Sequence, residues 1–302
     1  MSLTSILLLL LAAVTHAGWN FISKKEQPTL AFYLVANTIG VCLVLPFLFI
    51  FRDKMTLIPP IIWVFAGVSG FFLASYLAAL AGAYRAGDIS IAYPLARSLP
   101  VIFILMGTLI LGKGEELGWM LLGGIFFVVA GCLILPMRRL QEFHFKNYLN
   151  PCCGLAVLAA IGISGYTIVD DTALRHLRGL PNSPFHPIEA TVVYLILEGV
   201  CCSLWQGILV GISRRERQGV TKVIRDFKAA AITTGIGIYL TYGLVLASMN
   251  YVTNVNYVSA FRQLSIPIGA LMGIVLLKEP GYVPKIIGVA AIFVGVVLVG
   301  FG

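Results

Sequence analysis

Long apolar stretches fill most of this sequence and limit what it can fold into. Ten of them approach the roughly 20 residues that an α-helix needs to cross the hydrocarbon core of a membrane. Of 302 residues, 59% are hydrophobic and 11% charged. Soluble domains carry about 25% charged residues, so a soluble core could not bury this much apolar surface. We therefore predict an all-α membrane protein with ten transmembrane helices. Spans 1 to 10 are predicted at residues 3–20, 30–51, 59–83, 91–111, 117–136, 151–169, 187–212, 227–247, 255–277 and 282–301.

Basic residues give the chain a net charge of +8 and cluster near the ends of the predicted spans. Lys and Arg are more frequent in the odd-numbered loops, above all at 213–228, than in the even-numbered ones. Because cytoplasmic loops are enriched in Lys and Arg, this bias predicts that both termini face outside. No polar segment interleaves basic and aromatic residues, so no nucleic-acid partner is expected. Since no Lys or Arg precedes the apolar run at 3–14, we interpret that run as a permanent helix rather than a signal peptide.

Two parts of the chain repeat each other in sequence. Residues 84–135 align with 249–300 without a gap, and Arg97 then falls on Arg262. Matches of Leu and Val are expected by chance between apolar helices, whereas a matched arginine inside the membrane is not. We infer that spans 4 and 5 recur as spans 9 and 10.

The first and sixth spans match in the same way, since residues 8–19 align with 155–166. We therefore predict two five-span repeats, the first at 1–140 and the second at 141–302. Because five is odd, the second repeat must enter the membrane from the opposite side. Such inverted repeats are typical of secondary transporters, which bind their substrate near the midplane between the repeats.

Three charged side chains lie inside predicted spans, namely Arg97 in span 4, Glu198 in span 7 and Arg262 in span 9. Charged groups at membrane depth are costly and commonly functional. Each arginine precedes the centre of its span by the same number of residues, so inversion would place the two about 12 Å apart, on opposite sides of the midplane. The planar fork of Arg suits carboxylate or phosphate, which favours an anionic group on the substrate. Alternatively, these charges only fix helix packing, with Glu198 paired to an arginine.

Prolines mark two of the same spans. Pro94 and Pro100 in span 4 and Pro267 in span 9 each remove a backbone hydrogen bond, which predicts an interruption of the helix. Such interruptions often line the cavity of a transporter, although a kink that serves packing explains them as well. Asp88 and Asn254 precede spans 4 and 9 and are predicted N-caps.

Other spans supply further candidates for substrate contact. His16, Trp19 and Asn20 lie within about one turn of span 1, and His16 and Asn20 share a face. Trp19 can instead be an interfacial anchor. Tyrosines in the spans can line a cavity, with packing or a lipid-interface role as the alternative for each. The remaining candidates are Tyr76, Tyr93, Tyr166, Tyr239, Tyr242 and Gln263.

The sequence lacks the motifs of common enzyme classes. It contains no G-x-x-x-x-G-K-[ST], no H-E-x-x-H and no G-x-S-x-G. The cysteine pairs at 152–153 and 201–202 lack the spacing of a metal site and are interpreted as small buried hydrophobes. We therefore expect no enzyme, no cofactor and no ATP-driven mechanism, which leaves an ion or substrate gradient as the energy source.

Several motifs together resemble one transporter family. Residues 83–98 contain Tyr-Pro-Leu-Ala-Arg and are followed by Leu-Gly-Lys-Gly-Glu at 111–115 and a Gly-rich helix. With Thr-His-Ala-Gly-Trp-Asn-Phe at 15–21, they resemble the EamA module of the drug/metabolite transporter superfamily. Residues 249–300, which contain Lys-Glu-Pro at 278–280, resemble a second EamA module, although Val258-Ser259 replaces the Tyr-Pro pair there.

The resemblance implies ten helices in two inverted five-helix repeats, which correspond here to 1–140 and 141–302. Members of the family move metabolites such as amino acids, and relatives carry nucleotide sugars and sugar phosphates. The His-Ala-x-Trp-Asn and Tyr-Pro-Leu-Ala-Arg patterns are most similar to permeases linked to phosphonate use. Many members have cytoplasmic termini, which is opposite to the orientation that the charge bias predicts here.

The sequence thus favours a secondary transporter that moves a small anionic or zwitterionic metabolite by alternating access. We expect a monomeric, multi-pass protein of a bacterial inner membrane, whose partners are the lipid bilayer, the substrate and a coupling proton. The alternative from another class is a membrane scaffold or accessory subunit with structural buried charges. A lipid-modifying enzyme is the third possibility.

Overall fold

The computed structural model describes residues 2–25, 29–86, 89–112, 114, 117–134, 137, 139, 151–180, 184–276 and 281–301. Within these ranges the chain is helical and has no β-strand. The helices are α1 (Leu3–Lys25), α2 (Leu30–Val44), α3 (Phe47–Ile50), α4 (Arg52–Met55), α5 (Pro60–Ala86), α6 (Ile89–Ile110), α7 (Trp119–Ile134), α8 (Pro151–Arg178), α9 (Pro187–Ile212), α10 (Arg214–Asp226), α11 (Lys228–Ser248), α12 (Val255–Arg262), α13 (Ser265–Leu276) and α14 (Val283–Phe301).

Seven helical segments in the described part of the chain are long and apolar enough to cross a membrane. They are Leu3–Ser23, Leu30–Ile50, Pro60–Ala83, Pro151–Arg178, Pro187–Ile212, Lys228–Tyr251 and Val283–Phe301. Ser98–Ile110 and Trp119–Ile134 are shorter apolar helices. The prediction of an all-α, multi-pass membrane protein is confirmed. Seven of the ten predicted spans reach full length by this measure. Span 4 corresponds to α6, which contains Ser98–Ile110, and span 5 corresponds to α7 with 16 described residues. Span 9 is divided between α12 and α13.

The division of span 9 follows from its sequence. Asn254 caps α12 by accepting a hydrogen bond from the backbone N–H of Asn256 at 2.9 Å, so this predicted cap is confirmed. The span then stops at Gln263 and resumes as α13, whose third residue is Pro267. A proline is tolerated in the first turn, but its ring prevents the helix from continuing back past Gln263.

The corresponding expectation for span 4 is wrong. Helix α6 continues through Pro94 and Pro100, because a long helix can lose two backbone hydrogen bonds and keep the rest. Asp88, the predicted cap of this span, lies outside the described residues.

Large apolar side chains remain on the outside of the bundle. Phe49, Ile110, Trp119, Ile212 and Phe301 are all exposed. In water this surface would be unfavourable, whereas in a bilayer lipid tails cover it and no cost arises. The distribution therefore agrees with the membrane class.

Helices that are distant in sequence pack around a common centre. Helix α5 packs against α8 and α9, α11 packs against α1 and α2, and α7 packs against α14. The α7–α14 contact brings backbones together, since a Cβ atom on Gly124 would lie 2.6 Å from the carbonyl oxygen of Gly295. Gly131 approaches the carbonyl oxygen of Gly288 equally closely, with 2.7 Å from its Cβ position. Small residues commonly provide such helix contacts in membranes.

The basic loop at 213–228 forms a helix of its own, α10. Ser213 caps it by accepting from the backbone N–H of Glu216. Although α10 is strongly polar, the Glu216 side chain is buried against the ends of two membrane helices. Its carboxylate accepts a hydrogen bond from the backbone N–H of Ala31 at 2.9 Å and pairs with Arg85 at 2.8 Å. This carboxylate fixes α10 to α2 and α5.

Candidate functional site

A cavity lies in the middle of the bundle, where α1, α5, α8, α9, α11 and the end of α12 meet. Its empty space is about 670 Å³, including the part open to solvent. Aromatic side chains form much of the wall, and a few polar groups lie between them. The lining residues that carry polar side chains are His16, Trp19, Asn37, Tyr76, Tyr166, Glu198, Tyr239, Thr241, Tyr242 and Arg262.

Arg262 contributes the guanidinium group of this cavity. It lies at the last position of α12, where the break in span 9 leaves its side chain directed at α8. One terminal nitrogen donates to the Tyr166 hydroxyl at 2.9 Å, and the other is 3.4 Å from Thr167 Oγ1. The guanidinium carbon is also 5.7 Å from the centre of the Tyr166 ring, a cation–π distance. Among the described residues, no carboxylate forms an ion pair with Arg262.

Glu198 also lines the cavity, and among the described side chains its hydrogen-bond donors are hydroxyl groups. It is completely buried, and its Oε1 accepts from Ser69 Oγ at 2.9 Å and from the Tyr242 hydroxyl at 3.1 Å. Among the described side chains, Glu198 therefore does not pair with an arginine, which was the alternative interpretation of its charge.

A second buried carboxyl group, that of Asp170, shares the same hydroxyls. Ser69 Oγ lies 2.5 Å from Asp170 Oδ1, and the Tyr194 hydroxyl donates to this oxygen at 2.9 Å. Tyr242 makes a short hydrogen bond to Asp170 Oδ2. Asp170 and Glu198, with these three hydroxyl residues, are called the carboxyl cluster below. Its members come from α5, α8, α9 and α11, so the cluster joins four helices at the cavity wall.

Two polar atoms that belong to lining residues of the cavity have no hydrogen-bond partner in the described part of the chain. They are Trp19 Nε1, a donor, and Glu198 Oε2, an acceptor. Buried polar groups are normally hydrogen-bonded, and an exception calls for an explanation such as a ligand. Together with the guanidinium of Arg262, these atoms offer a ligand both donors and an acceptor.

A smaller cavity shares part of its lining with the first. Its empty space is about 420 Å³, and it shares His16, Thr241 and Arg262 with the larger one. Gln263 lines it, and its Nε2 donates to the backbone oxygen of Ser259 at 3.3 Å. Arg262 therefore lines both cavities.

The aromatic wall is held together by ring contacts and one amide. Tyr166 packs edge-on against Tyr242, with ring centres 5.7 Å apart, and Tyr76 lies 6.2 Å from Tyr166. The Tyr239 hydroxyl donates to Asn37 Oδ1 at 3.1 Å. Asn37 in turn donates to Ser203 Oγ at 2.9 Å. These contacts fix the shape of the cavity on the α2, α8 and α11 sides.

Most of the candidate residues from the sequence meet at these cavities. Around the larger one lie His16, Trp19, Tyr76, Tyr166, Glu198, Tyr239, Tyr242 and Arg262, and Gln263 lines the smaller one. Asn20 is absent from both walls, since its side chain donates to the backbone oxygen of His16 at 2.9 Å. The side chains of Arg97 and Tyr93, on α6, lie outside the described ones. Their roles stay predictions.

Sequence reasoning missed Asp170, Ser69 and Tyr194. The predicted span 6 stopped at residue 169, directly before two aspartates, whereas α8 continues to Arg178. The adjacent pair Asp170-Asp171 was a usable signal, since carboxylates that extend an apolar helix need partners. Among the described residues, no group of three His, Cys, Asp or Glu side chains is placed to hold a metal ion.

The comparison with protein families agrees with the motifs of the first half. Residues 3–137 match the model of the EamA-like transporter family. The match confirms the resemblance over these residues and indicates a membrane transporter of small molecules. It leaves out residues 138–302, so the second EamA module stays a prediction.

Two further comparisons concern single proteins. No protein of curated function has a matching sequence. One solved crystal structure superposes with a TM-score of 0.68, over 98% of this chain and 97% of the other, at 15% sequence identity. Similarity at this level of identity concerns the fold alone.

Proposed function

We propose that this protein is a secondary transporter, rather than an enzyme, that moves a small anionic or zwitterionic metabolite across a bacterial inner membrane as a monomer. The observation that carries the proposal is Arg262, a guanidinium on the cavity wall without a carboxylate partner among the described residues. A cation at membrane depth is costly unless something balances its charge. An anionic group of a substrate would contact the guanidinium directly, which no described carboxylate does.

The chemistry of the larger cavity fits a small organic molecule. Apolar and aromatic walls with a few fixed polar groups are typical of small-molecule sites. The unpartnered Glu198 Oε2 could accept from an ammonium or hydroxyl group of the same molecule, which is why a zwitterion fits as well as a simple anion.

The pattern of helix contacts supports two inverted repeats. If spans 1–5 correspond to spans 6–10, then α1, α2 and α5 correspond to α8, α9 and α11. The contact of α5 with α8 has its counterpart in that of α11 with α1, and the contact of α5 with α9 has its counterpart in that of α11 with α2. Each of these two contacts is thus replaced by its counterpart when the two halves are exchanged.

The α7–α14 contact supports the inversion itself. These helices are counterparts, so inverted repeats require them to run in opposite directions. Gly124 meets Gly295, whereas Gly131, later in α7, meets Gly288, earlier in α14. The two helices are therefore antiparallel. In such a frame Arg97 would serve the substrate in the opposite access state, as its alignment with Arg262 suggests.

Two experiments test the proposal in sequence. Purified protein is first screened by thermal shift against inorganic phosphate, phosphonates, carboxylates and amino acids, because a ligand of the folded state raises its melting temperature. Uptake of the strongest ligand into proteoliposomes is then compared for the wild type, Arg262→Gln and the exposed control Arg225→Gln. We expect uptake to be lost only in Arg262→Gln. Binding without uptake in the wild type would instead favour a scaffold or accessory subunit.

A further inference from the structure

The carboxyl cluster contains more short oxygen–oxygen contacts than its hydroxyl groups have protons to donate. Ser69 contacts both Asp170 and Glu198, Tyr242 contacts both as well, and Tyr194 contacts Asp170. Each hydroxyl carries a single proton to donate, and an ionised carboxylate carries none. With both carboxyl groups ionised, three protons would have to serve five contacts. A proton on one carboxyl group supplies a further donor.

Burial of the two carboxyl groups also favours a proton on one of them. Asp170 and Glu198 are both completely buried, and Glu198 Oε2 has no partner in the described part of the chain. An ionised carboxylate that lacks partners is far more costly to bury than a neutral carboxylic acid. Two carboxylates that share the same hydroxyl partners also repel each other.

Arg262 links this cluster to the anion site. Its guanidinium donates to the Tyr166 hydroxyl, and the Tyr166 ring packs 5.7 Å from that of Tyr242, which contacts both carboxyl groups. One proton on the pair leaves a single negative charge, which the guanidinium balances. An anion that binds Arg262 adds a negative charge to this neutral group. A second proton on the pair makes the group neutral again.

Other titratable or polar side chains lie near the pair, but the pair is the proton-binding group that we infer here. His16 on α1 and Tyr76 on α5 line the same cavity as Glu198, and Arg262 is the cation among the described groups that act on both carboxyls. The side chains that face the pair from α8, α9 and α11 are Tyr166, Tyr194, Cys201, Cys202, Tyr239 and Tyr242. Of the whole set, His16 is the group that could imitate a carboxyl titration near neutral pH.

We propose that Asp170 and Glu198 form a proton-binding site, and that an anion binding to Arg262 is accompanied by proton uptake at this pair. For its role in transport the proposal rests on the function proposed above, and it makes the transporter a symporter of an anion with a proton. By thermodynamic reciprocity, protonation of the pair must then strengthen anion binding by the same factor. The proton leaves to water in the cavity when the anion leaves.

The test is an infrared titration of the purified protein in lipid nanodiscs, since a neutral carboxylic acid and a carboxylate absorb separately. We expect the wild type to show a neutral-carboxyl band that disappears as the pH rises. Glu198→Gln and Asp170→Asn should both lose this band near neutral pH, because either change removes the repulsion that retains the proton. His16→Gln should keep it, as should the controls Glu189→Gln and Asp171→Asn, whose carboxylates pair with Lys54 and Arg175.

The link to Arg262 is tested on the same band without any substrate. Arg262→Gln removes the balancing charge, so the band should persist to higher pH, whereas Arg262→Lys should leave the titration near that of the wild type. Sulfate, compared with chloride at equal ionic strength, gives a second measurement on the wild type if Arg262→Gln does not fold. It should shift the titration in the same direction.

The outcomes separate this proposal from the transport proposal. A wild type without the band, or a band that survives in both Glu198→Gln and Asp170→Asn, overturns the proton site. A titration that neither Arg262→Gln nor sulfate moves overturns the coupling. Failure of every ligand to be transported, with a normal infrared titration, would count against the transport function and leave the proton site intact.

Discussion

The central cavity and the α7–α14 contact join membrane helices in opposite ways. At the cavity, aromatic rings and charged groups hold the helices apart, and polar atoms such as Trp19 Nε1 and Glu198 Oε2 have no partner in the described part of the chain. At the α7–α14 contact, Gly124 and Gly295 let the backbones touch, so no space is left between the helices there.

This difference follows from the solvent. In lipid, apolar side chains gain nothing by leaving the surroundings for another helix, so association depends on close packing or on hydrogen bonds. Close packing without polar groups produces a contact that has little reason to change. A junction held by hydroxyls and charges can exchange partners with a ligand or with water. We infer that α7 and α14 are scaffold and that the function is located at the cavity.

The strongest test of this division is the replacement of Arg262. Hydrogen bonds to charged groups contribute about 1.5–3 kcal/mol, so Arg262→Gln should weaken binding of an anionic ligand by about 10- to 150-fold. Arg262→Lys keeps the charge but loses the fork, so its loss should be smaller. Affinity is measured by isothermal titration on the same samples whose melting temperature is recorded.

A loss of stability without a loss of binding in the Arg262 variants would contradict the division into a functional cavity and a structural α7–α14 contact. If both Arg262 variants melted early yet bound ligand normally in the folded fraction, Arg262 would be a packing element like the α7–α14 glycines. Arg225→Lys, on the surface of α10, supplies the control for a general effect of the substitution.

A substitution in the α7–α14 contact should lower the melting temperature and leave ligand affinity unchanged. Gly124→Ala places a Cβ atom 2.6 Å from the Gly295 oxygen and 2.5 Å from a methyl group of Val299. Forcing an extra carbon into a packed site costs about 1–3 kcal/mol, so the melting temperature should fall while ligand affinity is unchanged. The neighbouring Gly123 has open space at its Cβ position, so Gly123→Ala should cause no such loss. Equal melting temperatures of the two variants would show that the close contact does not contribute to stability.

The smallest expected effect concerns Trp19. Phe keeps most of the ring but removes the Nε1 donor, which has no partner among the described residues. Stability should therefore change little, because no internal hydrogen bond is lost. If a ligand accepts from this donor, binding should weaken by about 2- to 10-fold, as the net value of roughly 0.5–1.5 kcal/mol per hydrogen bond implies. A drop in melting temperature with unchanged affinity would place Trp19 with the scaffold.

Much of the fold could be read from the sequence, because the membrane imposes simple requirements on it. Apolar length indicated the helices, and hydropathy placed seven of them at full span. Asn254 was identified as a cap because a side-chain acceptor is needed wherever a helix begins. The motifs at 15–21 and 83–98 indicated the EamA module that residues 3–137 match. Each of these features depends on neighbouring residues in the chain.

The sequence also indicated which side chains deserved notice, since charge inside an apolar span is visible without a structure. Glu198 and Arg262 were singled out on this ground, and both line the cavity. Their relation was not visible. They could have paired with each other, whereas Glu198 is bound by hydroxyls and Arg262 by Tyr166.

Only the tertiary structure decided what completes the site. Asp170 looked like the end of a span because a carboxylate lowers the local hydropathy. It is buried because Ser69, Tyr194 and Tyr242 reach it from three other helices. Asn20 looked like a cavity residue but bonds to its own backbone. The partners of a polar group are chosen by helices that are distant in sequence and adjacent in space. For that reason the apolar pattern determined the class of this protein, and helix packing determined its chemistry.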